Sequence, residues 1–222
     1  MNNVSYIVST LLSTYRDVQH GITTKYSGIS QNDLNTIVFP RQEHGNRVVW
    51  VDESNRNGHA VADGLLTRSK NIRIGIRTAD CVPVLLYDPV AGIAGAVHSG
   101  WRGTAKHVVQ HAVSEIVRAG GDVRNIVATI GPHIMPCCYV VGEDVASIFR
   151  EMGDQLVSVA GGTPRVHLAD AVCCQLAHCG LTTAHIERSI HCTCCEKNMF
   201  VSYRRDGPQS LKDQIVSYIV IQ

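Results

Sequence analysis

The chain has 222 residues, 45% of them hydrophobic and 18% charged, with a formal net charge of +1. That balance gives no electrostatic basis for binding nucleic acid or an anionic membrane surface. No run of ~18 apolar residues marks a membrane span, and no linker divides the chain, so residues 1–222 read as one domain.

The N-terminal stretch MNNVSYIVSTLLSTYRD lacks a basic leader, and Ser and Thr interrupt its apolar residues. It does not read as a secretory signal. The nine cysteines are an odd number, and without a signal they are expected to be reduced thiols of a cytoplasmic protein.

In chain order, Val48–Val51, Ile72–Ile76, Val82–Tyr87, Ile93–Val97 and Ile126–Ile130 are short apolar runs, and all but the first are β-branched runs read as strands bounded by Gly, Asp or Pro. Asp88-Pro89-Val90-Ala91-Gly92 has turn chemistry and joins two of them as a hairpin. A helix is expected over Thr104–Ala119, with Val108, Val109, Ala112, Ile116 and Val117 on its apolar face and Gly120-Gly121 as its stop. Further helices are expected over Gly142–Met152 and Leu168–Cys179, and a final strand over Gln214–Ile221. Strands and helices mix without a regular βαβ repeat, which predicts an α+β fold with a mixed sheet and packed helices.

Chemistry concentrates around that hairpin. Cys81, beside Asp80, opens its first strand, and His98 closes its second, so the turn brings the two side by side. His44 precedes the run Val48–Val51. Two imidazoles and a thiolate suit zinc or copper, and three protein ligands leave one position open for water or substrate. Asp80 reads either as a turn cap or as a functional group, a general base or a carboxylate that orients a ligand histidine.

Other segments are candidates for holding an anion. Gly100 and Gly103 flank Trp101-Arg102 just before the predicted helix, whose start near Thr104 favours negative charge. Arg204 and Arg205 follow the strand-like stretch Met199–Val201. Cys137 and Cys138 are adjacent, a poor arrangement for chelating one metal together. Cys192-Thr193-Cys194-Cys195, with His191, has no second cysteine group at zinc-finger spacing.

Eight segments together resemble the laccase-domain, or YfiH-type, family, once called multicopper polyphenol oxidases. They are Gln42-x-His44-Gly45, Ala62-Asp63-Gly64, Thr78-Ala79-Asp80-Cys81-Val82-Pro83, Ala96-Val97-His98-Ser99-Gly100-Trp101-Arg102-Gly103, Ile130-Gly131-Pro132, Cys138-Tyr139, Cys192-Thr193 and Phe200-x-Ser202-Tyr203-Arg204-Arg205-Asp206-Gly207. The resemblance implies a fold related to the catalytic domain of cytotoxic necrotising factor. It also implies a metal, commonly zinc with copper as the older assignment, on His44, Cys81 and His98.

The family's implied activity is phosphorolysis of adenosine, inosine and methylthioadenosine, with deamination of adenosine. On that reading Asp80, Cys81 and His98 are catalytic, and Arg102, Arg204 and Arg205 bind substrate. The partners are then a nucleoside and phosphate, taken up by a monomer or small homo-oligomer. Copper-dependent phenol oxidation and Cys-His hydrolysis of cell-wall precursors are the alternatives. The chain departs from the family pattern at His133 and Val140 and lacks Thr-Gly-Arg after Gly207. Its 11 histidines include no His-x-His pair, which counts against a multicopper centre.

Overall fold

A computed structural model describes residues 5–58 and 60–222. The first four residues of the segment read for a leader lie outside the described residues. In chain order the strands are β1 (Tyr6–Ile7), β2 (Val18–Thr23), β3 (Ile37–Val38), β4 (Val48–Val51), β5 (Gly64–Thr67), β6 (Arg73–Thr78), β7 (Val82–Asp88), β8 (Ile93–Ser99), β9 (Val127–Ile130), β10 (Val157–Ala160), β11 (Thr163–Val166), β12 (Ile186–Arg188) and β13 (Ile215–Ile221). The α-helices are α1 (Gln31–Asn35), α2 (Trp101–Ala105), α3 (Val108–Arg118), α4 (Glu143–Met152), α5 (Leu168–His178) and α6 (Tyr203–Asp206).

The hairpin β7–β8 is the centre of a six-stranded mixed sheet of order β12-β9-β7-β8-β5-β4. Its register pairs Val82 with Ser99 and Asp88 with Ile93. The turn holds because the Asp88 carboxylate accepts the amides of Val90 and Ala91 at 2.9 Å and that of Asp122 at 3.0 Å. A five-stranded sheet of order β1-β2-β13-β6-β3 packs over one face.

Alternation along the hairpin feeds two separate cores. Val84, Leu86 and Val97 pack with Val109, Ala112 and Ile116 of α3 and with Val172 and Leu176 of α5. Leu85, Tyr87 and Ala96 face the second sheet through Ile74, Ile76 and Ile219. Every residue of β7 and β8 is buried. Full burial of each large apolar side chain contributes about 1.5–3 kcal/mol, so the strand ends sit on a rigid platform. The buried Tyr87 hydroxyl donates to Asp17 at 2.5 Å and is thereby satisfied.

Three details depart from the sequence reading. The helix expected over Thr104–Ala119 begins earlier, at Trp101, and is broken at His107, whose φ is +60°. At the break the Thr104 carbonyl accepts from Gln175 Nε2 at 2.7 Å and the Lys106 carbonyl from Asn46 Nδ2 at 2.9 Å. These side chains take carbonyls that a continuous helix would use. Val117 is 44% exposed, and Val113 takes its place on the buried face of α3. The stretch Met199–Val201 is irregular rather than a strand.

Candidate active site

Cys81 immediately precedes β7, and the antiparallel register sets Pro83 opposite His98. His44 arrives from the loop before β4 in a left-handed conformation, φ +58°. The ligand atoms of His44, Cys81 and His98 all lie within 4.8 Å of one another. The two imidazole rings meet edge to face with centroids 4.8 Å apart. His98 is buried, Cys81 half-buried and His44 exposed, so the group opens to solvent on one side.

Gly100 keeps this space open. A Cβ there would lie 2.9 Å from Cys81 Sγ and 3.0 Å from His44 Cδ2. At Gly103 a Cβ would come within 2.9 Å of the Gly45 carbonyl, so α2 rests directly on the His44 loop. The two glycines flanking Trp101-Arg102 therefore serve close approach between protein segments.

One carboxylate orders both histidines. Asp63 Oδ1 lies 2.8 Å from His98 Nδ1 and accepts the His44 amide at 2.9 Å, while Oδ2 accepts the Gly45 amide at 2.7 Å. The Asp63 carbonyl also accepts the His98 amide at 2.7 Å. Burial opposes the Asp63 charge, but the bonds from His98 and the Gly45 and Glu43 amides outweigh it and lower its pKa. With Nδ1 engaged, His98 presents Nε2 to the site.

Cys81 and His98 shift each other. Burial pushes the Cys81 thiol up, but the His98 imidazolium and hydrogen bonds from His44 and His98 bring it down to about 6. Burial pushes His98 down, and the Cys81 thiolate with Asp63 raises it to about 9. The three donors suit a thiophilic or borderline cation, with the open space beside Gly100 to receive it.

Asp80 sits beside Cys81 with φ +90° but orients neither histidine by a hydrogen bond; that position belongs to Asp63. Asp80 Oδ1 accepts from Thr193 Oγ1 at 2.7 Å, and Oδ2 from the Arg204 amide at 2.7 Å and Ser202 Oγ at 3.0 Å. It ties the Cys81 strand to two loops that wall the site.

The three arginines differ. Arg102 is exposed, with its guanidinium 4.3 Å from the Trp101 ring centroid. Arg204 lies over the Tyr139 ring at 5.2 Å and donates to the carbonyls of Cys138 and Val140. Arg205 donates to the carbonyls of Thr193, Cys194 and Phe200 and to both oxygens of Asp206. Those bonds use all the N–H donors of a guanidinium, so the structure gives Arg205 partners other than a substrate. Thr104 is not the helix start: it lies inside α2, and its amide and hydroxyl both reach Gly100 O.

Tyr139 and Asp63 carried no assigned role in the sequence reading. Burial and then the Cys81 thiolate push the Tyr139 phenol up, so it stays a neutral donor beside Cys81. Both lie in the quoted motif blocks. A depression of about 740 Å³, lined by Lys25, Arg77 and Met199 among others, shares no residue with the triad. It carries none of the chemistry described above.

Residues 13–222 match the family model described as multi-copper polyphenol oxidoreductase laccase. The chain belongs to this family. Among relatives of this laccase-like family, adenosine deaminase RL5, from an unknown prokaryotic organism, is 38% identical over 191 residues, 80% of this chain and 73% of its own length. Purine nucleoside phosphorylase YlmD of Bacillus subtilis is 32% identical over 200 residues, 84% of this chain and 71% of its own. The fold is similar to the crystal structure of Bacillus licheniformis YfiH, with a TM-score of 0.86 at 28% identity, covering 98% of this chain and 97% of that one.

The laccase-like family name implies several coppers. Among the described residues, His, Cys and carboxylate ligands gather into two groups, one with two histidines and the other with none. A trinuclear copper centre fed by histidine pairs has no counterpart there.

Proposed function

We propose that this chain is a purine nucleoside enzyme that phosphorolyses adenosine, inosine and methylthioadenosine and deaminates adenosine. The observation that carries the reading is the convergence of His44, Cys81 and His98 at one solvent-open point, in a chain similar to proteins named for those two activities. His44, Cys81 and His98 hold zinc in this reading. Bound there, zinc would supply Lewis-acid polarisation.

The chain's own residues do the rest. Asp63 fixes the His98 tautomer and the His44 loop, which keeps the donors preorganised. Arg102 and Arg204 are exposed residues whose charges both act on Tyr139, and in this reading they supply charge for phosphate. Arg205 and Asp80 act as positioning residues that hold the 193–206 segment against the Cys81 strand. Tyr139 contributes a neutral phenol donor to the same wall. The test is incubation of metal-quantified protein with adenosine, with and without phosphate, and identification of the products. Inosine without phosphate, and adenine with ribose 1-phosphate in its presence, are expected. Absence of both product sets overturns the reading.

A second reading has its own observation. Cys81, His98 and Asp63 stand in the order nucleophile, base and orienting carboxylate of a thiolate hydrolase. Zinc on Cys81 and nucleophilic attack by Cys81 exclude each other in one state. If this reading holds, stripping zinc raises hydrolysis of cell-wall precursor peptides and leaves no nucleoside turnover.

A further inference from the structure

The vicinal pair Cys137-Cys138 and the group at Cys192–Cys195 do not stay apart, as their separation in sequence suggested. The loop after β9 carries Cys137 and Cys138 in a turn, and the loop after β12 carries Cys192 and Cys195 around a second turn. A bridge between His133 and Cys192 joins the loops, with the Thr193 amide donating to the His133 carbonyl at 3.0 Å. All four sulfurs lie within 4.8 Å of one another. His191 is turned to Glu196, at 2.8 Å, and Cys194 stands outside the group.

The sulfur separations have a definite meaning. Cys137 Sγ lies 3.8 Å from Cys138, 3.7 Å from Cys192 and 3.6 Å from Cys195, and Cys138 lies 3.3 Å from Cys195. A tetrahedron with metal–sulfur bonds of about 2.3 Å has edges of about 3.8 Å. A disulfide needs its sulfurs at about 2.05 Å. The four thiols thus stand at the corners of a tetrathiolate cage and at no bonding distance from each other. Adjacent cysteines can share this cage because they sit in a turn, where neighbouring side chains need not point to opposite sides.

The surroundings suit a negative centre. Cys192 Sγ accepts backbone amides from Met135, at 3.5 Å, and from Cys194 and Cys195. Four thiolates around a divalent ion leave a doubly negative centre, and three guanidinium groups grip the loops that carry it. Arg165 donates to the carbonyls of Pro136 and Cys137, Arg204 to that of Cys138, and Arg205 to that of Cys194. Donors behind a sulfur ligand and charges beside it are what tune and fix a metal site.

We propose that Cys137, Cys138, Cys192 and Cys195 form a second, structural zinc site that staples the 131–141 loop to the 191–206 segment. Four protein ligands close the coordination sphere, so the ion takes no substrate. Both stapled segments wall the triad: Tyr139 follows Cys138 directly, and Thr193 bonds Asp80. The site stands independently of the nucleoside reading, because its evidence is the sulfur geometry and the donors around it.

The test uses the full chain carrying Cys81→Ser, purified anaerobically in reductant, so that the triad contributes no thiolate. Elemental analysis of this variant should find about one zinc per chain, and cobalt(II) exchanged for it should give the intense visible bands of a tetrahedral tetrathiolate. Adding Cys195→Ser should lose that spectrum while far-ultraviolet circular dichroism is kept. If the double variant fails to fold, the cobalt spectrum of Cys81→Ser alone decides. The proposal is overturned if reduced Cys81→Ser binds no zinc, if it binds copper(I) alone, or if cobalt bound there lacks tetrathiolate bands.

Discussion

Asp63 accepts His98 Nδ1 at 2.8 Å on the same carboxylate oxygen that accepts the His44 amide at 2.9 Å. A single buried acid therefore sets the ring orientation of one candidate ligand and the loop conformation of the other. The arrangement is economical because β5 pairs with β8, which places residue 63 beside residue 98.

Asp63→Asn should loosen this arrangement. The amide retains one oxygen, and its NH₂ end faces the Gly45 and Glu43 amides that Oδ2 now accepts. Loss of such an outer partner typically costs about 10–100-fold in metal affinity. Competition against a chromophoric chelator measures it. Unchanged zinc affinity would show that Asp63 does not organise the ligands.

The paired shifts of Cys81 and His98 give zinc binding a pH signature. Between about 6 and about 9 the zinc-free pair is thiolate and imidazolium. Zinc needs the thiolate and a neutral imidazole. In that window binding expels a proton from His98, and below about 6 it also expels one from Cys81. Affinity should accordingly rise with pH through the window and flatten above about 9. In zinc-free protein, alkylation of Cys81 should persist down to about 6, where an ordinary thiol is unreactive. Zinc addition in weak buffer without acidification, or Cys81 reactivity lost below pH 9, would contradict this.

Gly100→Ala should separate the triad from the fold. Gly100 has φ −75° and ψ 171°, a conformation alanine adopts freely, so the backbone bears no penalty. Its added Cβ would stand 2.9 Å from Cys81 Sγ and must displace the thiolate or His44. Far-ultraviolet circular dichroism should be preserved while zinc binding at the triad weakens by ~10-fold or more, as ligand misplacement does. Full zinc affinity in this variant would mean that the open space is not part of the site.

The hairpin was legible because its signals are local. β-Branched runs, the Asp-Pro turn and Gly92 name two strands, and antiparallel pairing then places Cys81 near His98 without further information. Asp63 lay in a quoted motif yet had no readable role, because its contact with His98 depends on which strand adjoins β8. The four-thiol group was hidden for a similar reason, since its ligands come from loops separated by β10, β11, α4, α5 and β12. The break at His107 was also unreadable: Gln175, on α5, and Asn46, in the His44 loop, take the carbonyls there. Arg204 and Arg205 look equivalent in sequence. Only the fold distinguishes an exposed guanidinium from one whose donors are all engaged by loop carbonyls and Asp206.

That distinction yields the sharpest test of the proposed chemistry. Phosphorolysis needs a positive cradle for the incoming phosphate, whereas deamination does not. Arg102→Ala and Arg204→Ala should therefore depress phosphorolysis more than deamination, by about 10²–10³ if each makes one transition-state contact. Arg204 also holds the Cys138 and Val140 carbonyls, so part of its loss would be positional. Arg102 holds no such loop in the contacts described, which makes it the cleaner probe. Its loss should raise the KM for phosphate and leave adenosine deamination near the parent rate. Cys81→Ala should abolish both reactions, because it removes the thiolate from the triad. If Cys81→Ala turned over adenosine normally by both routes, the chemistry would lie elsewhere on the molecule.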